Sequence, residues 1–476
     1  MLFNSINFVV FFIVVTTLYF AIPHKYRWLL LLISSCYFYM AFVPVYILIL
    51  GFTIIIDYFV GIWLEDTAGR KRKLVLIISL IANVAVLAVF KYYNFLNDNL
   101  SQLLNLLGYR NTVKDLSILL PIGLSFHTFQ AMSYTIEVYR GNQKAERDFG
   151  IYSLYVMFYP QLVAGPIERP QNLLHQFREE HHFDYGNLTE GLKQMLWGFF
   201  KKLVIADRLA VYVNSVYGNP QHHSGATFAV ATIFFAFQIY CDFSGYSNIA
   251  IGAARVMGFK LMTNFNRPYF SRSISEFWKR WHISLSTWFK DYLYISLGGN
   301  KVSIPRWYLN LLLVFVVSGL WHGANRTYII WGALNGVYLV FAIVFEPLKR
   351  RFNNVIGLSK FPALEQIFQI ITTFILICFS WIFFRANTLK DAIFIVKKIF
   401  VFDGPVYFES LSIPILSLSA IVFLLFVEFK WQYLPGKLLF MHHKNWLVRN
   451  LSYTFLLILI LLVGVFNNSQ FIYFQF

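Results

Sequence analysis

The run LVLIISLIANVAVLAVF at residues 74–90 carries no charged side chain, and runs of this kind recur along the whole chain. About 18 or more apolar residues with few charges suffice to cross a bilayer as a helix. Lipid offers the backbone no hydrogen-bond partners, so such a segment must satisfy its own amides, which for these run lengths means α-helix. The composition agrees: 58% of the residues are hydrophobic and 20% aromatic, against roughly 45–50% apolar in a soluble domain. The expected fold class is therefore an all-α polytopic integral membrane protein. Hydropathy places runs near 7–22, 28–43, 45–63, 74–95, 117–137, 149–165, 226–256, 308–321, 328–345, 364–384, 411–428 and 447–466, of which about ten to twelve should cross completely.

The first run has no basic flank and no small-residue cleavage site, so it is expected to be retained rather than removed as a signal peptide. Placing HKYR (24–27), GRKRK (69–73) and RGNQKAER (140–147) in the cytoplasm puts the N-terminus outside. The longest polar stretch, about 166–188, is too short to build a core of its own. One membrane domain over 1–476 is expected, with N-terminal helices in 1–115, a core in about 116–345 and C-terminal helices in 346–476. No inverted repeat of the transporter kind is visible.

Forty Lys and Arg stand against 23 Asp and Glu. They fall in short loops between apolar runs, which the retention of positive charge on the cytoplasmic side explains without a nucleic-acid partner. Cys36, Cys241 and Cys378 are isolated, which gives neither a disulfide framework nor a metal spacing. The adjacent pairs His181/His182, His222/His223 and His442/His443 sit in polar loops and are expected to be solvated, with no metal bound. There is no P-loop, no G-x-S-x-G elbow and no H-E-x-x-H, which argues against NTP hydrolysis, an α/β-hydrolase and a zinc protease.

Two stretches break the apolar pattern. In SEFWKRWHISLSTWFKDYLYISLGGN (275–300), Trp278, Trp281, His282, Leu285, Trp288, Phe289 and Tyr292 recur at helical spacing and predict one aromatic face. Lys279, Arg280, Ser286 and Lys290 flank it, and Glu276 is one turn from Arg280. Pattern alone fits an interfacial aromatic belt with snorkelling cations, but an anchor has no need of a central imidazole. The second stretch, 309–345, would form a straight helix about 55 Å long against a hydrocarbon core of about 30 Å. It must break, and HGANRT (322–327) is where polarity permits it. That leaves His322 at a helix end beside Gly319, Gly323 and Ala324.

Other polar features are weaker. His127, with Gln130 and Ser133 at helical spacing, fits helix packing as well as a tunnel wall. YPQLVAGPIERP (159–170) predicts a broken or terminating segment. Asp242, Ser244, Ser247 and Asn248 inside an apolar run suggest a water-lined cavity. The charged stretch 188–217 is expected at an interface or buried against protein.

FWKRWHISLSTWFKDYLYISLGGN followed by SGLWHGANRTYIIWGALNG resembles the signature of the membrane-bound O-acyltransferases, in the branch that acts on alginate, peptidoglycan, cellulose and teichoic acid. LPIGLSFHTFQAMSYTIEVYRG, FYPQLVAGPIERP and the terminal FIYFQF resemble the same branch. The resemblance implies a helical fold around a tunnel, with His322 of LWHGA as catalytic histidine and His282 of WHISLS as the second. It also implies substrate contacts from Trp278, Lys279, Arg280, Trp281, Ser284, Asp291, Trp321 and Asn325. Relatives commonly carry histidine where Asn335 stands and an aromatic where His127 stands, so neither receives a catalytic role.

On that reading no cofactor or metal is bound, and acetyl-CoA enters from the cytoplasm as co-substrate. Neutral His322, with an ordinary imidazole pKa of about 6.5, takes the proton of the acceptor hydroxyl. His282 binds or orients a substrate or stabilises the oxyanion, and Lys279 and Arg280 attract the phosphates of coenzyme A. No cysteine adjoins a histidine in these motifs, which favours direct transfer over a cysteine acyl-enzyme. The implied partners are an extracytoplasmic serine-esterase-like (SGNH-type) acetyltransferase, a polysaccharide acceptor and membrane lipid. The implied location is the bacterial cytoplasmic (inner) membrane. Rival readings are D-alanyl transfer to teichoic acid, lipid or protein acylation, and a proton-coupled transporter relaying through His282, His322 and Asp242.

Overall fold

The computed structural model describes residues 1–117, 121–163, 165–434, 440–466 and 472. Of the motifs above, Leu120, Ala164 and all of FIYFQF except Ile472 lie outside the described residues. Every regular element among those described is helical. The chain divides into two compact units, Met1–Met195 with Ser247–Met262, and Leu196–Tyr246 with Thr263–Phe476.

The first unit contains α1 (Ile6–Ala21), α2 (His24–Met40), α3 (Tyr46–Asp66), α4 (Gly69–Leu106), α5 (Leu124–Arg140) and α6 (Phe149–Met157). Its interior is aromatic, with Tyr134, Tyr152, Tyr155 and Tyr159 fully buried. Buried Asp57 accepts from Ser79 at 2.6 Å and from the Asn83 amide at 2.9 and 3.0 Å, which supplies the partners that lipid cannot. His127 is also buried, edge-on to Tyr39 at 5.6 Å, and neither ring nitrogen finds a hydrogen-bond partner among the described residues. His181 departs from the solvated expectation: it is half-buried on Phe259, and its backbone carbonyl accepts from the guanidinium of Arg27.

Helices α7 (Tyr185–Phe199), α8 (Asp207–Gly218) and α9 (Gly225–Val256) follow. In the second unit come α10 (Ile274–Arg280), α11 (Ile283–Trp288), α12 (Ile304–His322), α13 (Arg326–Val344), α14 (Glu346–Val355) and α15 (Pro362–Arg385). The last three are α16 (Leu389–Val401), α17 (Ser412–Tyr433) and α18 (Trp446–Val463). A continuous aromatic core, including Tyr269, Trp281, Trp331 and Trp381, fills this unit.

Eight described helices, α3, α4, α9, α12, α13, α15, α17 and α18, are long and apolar enough to cross a membrane. The protein is a multi-pass membrane protein. The run at 7–22 forms α1 at its expected length of 16 residues, about 24 Å of helix against a hydrocarbon core of about 30 Å. The run near 149–165 is broken: α6 ends after nine residues, Phe158 leaves the helical region with ψ 111°, and a separate turn, Tyr159–Leu162, follows with Pro160 near its start. Stretch 188–217 is buried against protein as expected, with Lys201, Lys202 and Asp207 at 1–3% exposure.

In the polar set at 241–248, Asp242 and Ser244 are engaged by lysines of the protein itself. Asp242 pairs with Lys202 at 2.5 Å, Lys202 also pairs with Asp207 at 2.8 Å, and Lys201 donates to Ser244 at 2.9 Å. Charge meets charge inside the protein, so no water is required to satisfy it.

Candidate active site

The expected break in 309–345 is present: α12 ends at His322 and α13 begins at Arg326. Asn325 caps α13 by accepting from the Thr327 N–H at 3.1 Å. Close approach of α12 and α13 depends on glycine. A Cβ on Gly319 would lie 2.2 Å from the Tyr328 carbonyl oxygen, and one on Gly332 would lie 2.2 Å from that of Phe315. Gly332 and Gly336 form the G-x-x-x-G spacing that lets membrane helices meet backbone to backbone. His322 is thus held at the tip of a tightly packed hairpin. Its ring stands edge-on to Trp331 at 5.0 Å, Trp321 at 4.9 Å and Phe384 at 5.3 Å.

The aromatic face expected over 278–292 is not one continuous helix. α10 ends at Arg280, and His282 adopts a left-handed conformation with φ 43° and ψ 56°. α11 starts immediately after it and passes into a wider π-helical turn at Phe289–Tyr294. A left-handed residue other than glycine costs about 1–2 kcal/mol and needs support. Thr263–Phe270 supplies it. Asn266 N–H donates to the Arg280 carbonyl and Ile283 N–H donates to the Asn264 carbonyl, both at 2.9 Å, bracketing His282 on either side.

His282 is 1% exposed, against Phe243 at 4.5 Å and Trp321 at 6.4 Å. It lies outside the membrane-crossing helices, and burial pushes its imidazole from the ordinary value down to about 3, so the ring is neutral near pH 7.

Both histidines line one cavity of about 490 Å³ in the second unit, within the range of small-molecule sites. Trp278, Trp281, Leu285, Phe289, Val314 and Phe315 give it apolar walls, with Ser275, Ser286, Thr287, Lys279 and Lys290 among the polar lining. Both lysines are solvent-exposed, so the cavity offers cations where it opens.

Of the residues expected at the site, the fold brings His322, His282, Trp278, Lys279 and Trp281 to this cavity. Arg280 is instead held by Glu276 at 2.6 Å and Gln432 at 3.1 Å. Ser284 bonds to Asn264 at 3.0 Å, and the Asn325 amide donates to the Asn387 carbonyl at 3.1 Å. Trp321 stands between the two histidines without lining the cavity, and Asp291 lies in the π-helical turn. Two residues with no expected substrate role also shape the site: Lys290, from the flank of the aromatic stretch, lines the cavity, and Asn264 contacts His282. Asn264 sits in the irregular loop NFNRP, where no periodicity singles it out.

A family model described as the membrane-bound O-acyltransferase family matches residues 148–386. The probable alginate O-acetylase AlgI of Pseudomonas aeruginosa is 39% identical over 405 residues, 84% of this chain and 75% of that protein. The chain belongs to the membrane-bound O-acyltransferase family. The peptidoglycan O-acetyltransferase of Helicobacter pylori is 34% identical, over 85% of this chain and 80% of that protein. The teichoic acid D-alanyltransferase of Bacillus subtilis is more distant, at 26% identity over 56% of this chain and 69% of that protein. As a membrane-bound O-acyltransferase the protein is an acyltransferase, and the cavity holding His282 and His322 lies within the matched residues.

Proposed function

We propose that this membrane-bound O-acyltransferase is an O-acetyltransferase. From the bacterial inner membrane it takes acetyl from a cytoplasmic thioester, acetyl-CoA, and delivers it through a secreted SGNH-type partner for O-acetylation of an extracytoplasmic polysaccharide. One observation carries the reading: the two motif histidines, forty residues apart in sequence, line the same apolar-walled cavity with lysines at its edge. The acetylating activities named for the alginate and peptidoglycan relatives support acetyl over other acyl groups.

His322 removes the proton of the acceptor hydroxyl as its oxygen attacks the thioester carbonyl. The C–S bond then breaks, and the proton passes from the imidazolium to the departing sulfur. Lys279 and Lys290 meet the phosphates of coenzyme A. The transporter reading loses support because Asp242, its third relay member, is engaged by Lys202 and does not line the cavity.

Reconstituted vesicles supplied with labelled acetyl-CoA and the outer-side partner test the proposal. His322→Ala should lower transfer by about 10²- to 10⁴-fold, the range of a general base. Transfer that survives intact, or label incorporated only from a D-alanyl carrier, would sink it.

A further inference from the structure

Two contacts of His282 Nδ1 bear on its tautomer, the short one to the Asn264 amide and a longer one, 3.5 Å, to Ser284 Oγ. Asn264 is fully buried, and its side-chain Oδ1 lies 3.0 Å from His282 Nδ1, 3.0 Å from Ser284 Oγ and 3.3 Å from the Ser284 backbone nitrogen. A backbone N–H can only donate, so the amide atom facing Ser284 must be the oxygen. An amide oxygen can only accept, so the imidazole nitrogen facing it must carry the hydrogen. The shorter contact favours a neutral ring with its hydrogen on Nδ1 and its lone pair on Nε2.

Asn264 also acts on the backbone. His282 is the residue before α11 but its own side chain does not cap that helix. The oxygen of Asn264 takes that place by accepting from Ser284 in the first turn. Backbone conformation, ring orientation and tautomer of His282 thus converge on one buried amide that is absent from the cavity lining.

We infer that Asn264 is the positioning residue of the acyl-transfer site: it holds His282 as the Nδ1–H tautomer, so that Nε2 meets the substrate as a hydrogen-bond acceptor. This rests on the acyl-transfer reading and narrows the work of His282 within it. A neutral ring in this tautomer does not donate from Nε2 to a developing oxyanion. It receives a hydrogen bond from an O–H or amide N–H of the substrate, while His322 handles the transferred proton.

The test uses the full-length protein in lipid vesicles, with histidine labelled by ¹⁵N and ¹³C for solid-state NMR and acetyl transfer from acetyl-CoA measured alongside. In the unsubstituted protein the resonances lost in His282→Gln should carry the Nδ1–H signature. Asn264→Asp keeps an acceptor in place and should retain that signature with kcat within about tenfold. Asn264→Leu removes the acceptor and should mix the tautomers. Its kcat should fall about 10²- to 10⁴-fold, the scale of a histidine left in the wrong tautomer, with KM for acetyl-CoA little changed. An Nε2–H signature in the unsubstituted protein overturns the inference, as does an Asn264→Leu variant with unchanged kcat. If both Asn264 variants fail to fold, the tautomer of the unsubstituted protein alone decides. If His282→Gln leaves transfer intact, the acyl-transfer role of His282 fails, and the tautomer assignment is judged separately on the spectrum.

Discussion

Arg280 and Lys290 look interchangeable in sequence, each a cation on the flank of one aromatic stretch, yet the fold gives them different work. Arg280 is spent within the protein on Glu276 and Gln432, whereas Lys290 is exposed and lines the cavity. Lys290→Ala should therefore raise KM for acetyl-CoA about threefold to tenfold at unchanged kcat, the scale of one exposed charge contact of about 1 kcal/mol. Arg280→Ala should leave KM near its original value and instead lower the thermal midpoint in detergent. Steady-state kinetics on the two variants separates these outcomes. If KM rises for Arg280→Ala and not for Lys290→Ala, the assignment of the phosphate-facing cation is reversed.

At the scale of elements, the α12–α13 hairpin sets the position of His322. Gly332 has no room for a side-chain carbon, since its Cβ would meet the Phe315 carbonyl oxygen at 2.2 Å. Gly332→Ala should push the two helices apart, lower stability by roughly 1–3 kcal/mol as overpacking does, and reduce transfer because the hairpin tip moves. Gly51→Ala in α3 is the control, because nothing lies within 4 Å of the added carbon there. A thermal-shift measurement that finds the two substitutions equivalent would refute the close-packing account. The hairpin was legible in sequence because length alone demanded a break. The interruption at His282 was not, because helical spacing runs straight through Trp278, Trp281 and Leu285. What breaks that helix is a bracket of hydrogen bonds from Thr263–Phe270, a segment remote from any periodic signal.

For the whole molecule, the burial of charge is the feature that most tests the fold. Lys202 is 1% exposed between Asp207 and Asp242, and the Ile472 N–H donates to the second Asp242 oxygen at 2.7 Å. This group joins the π-helical turn Phe200–Ala206 to α9 and to the C-terminal segment. Lys202→Met would leave two buried carboxylates without their cation and should cost about 3–5 kcal/mol, read as a lower unfolding midpoint in detergent. A midpoint unchanged by that substitution would refute the stabilising role of the buried ion pairs.

The sequence by itself determined the fold class, the break before α13 and the two histidines. Run length against bilayer thickness and the backbone's need for internal partners leave few alternatives. It could not decide which polar groups face one another. Asp242, expected on the wall of a water cavity, pairs with Lys202. Ser284 and Arg280, expected as ligand contacts, hydrogen-bond to Asn264 and Glu276. Only the tertiary structure shows these pairings, because hydrogen bonds and ion pairs reach about 3 Å while partners such as Ile472 and Asp242 stand 230 residues apart along the chain.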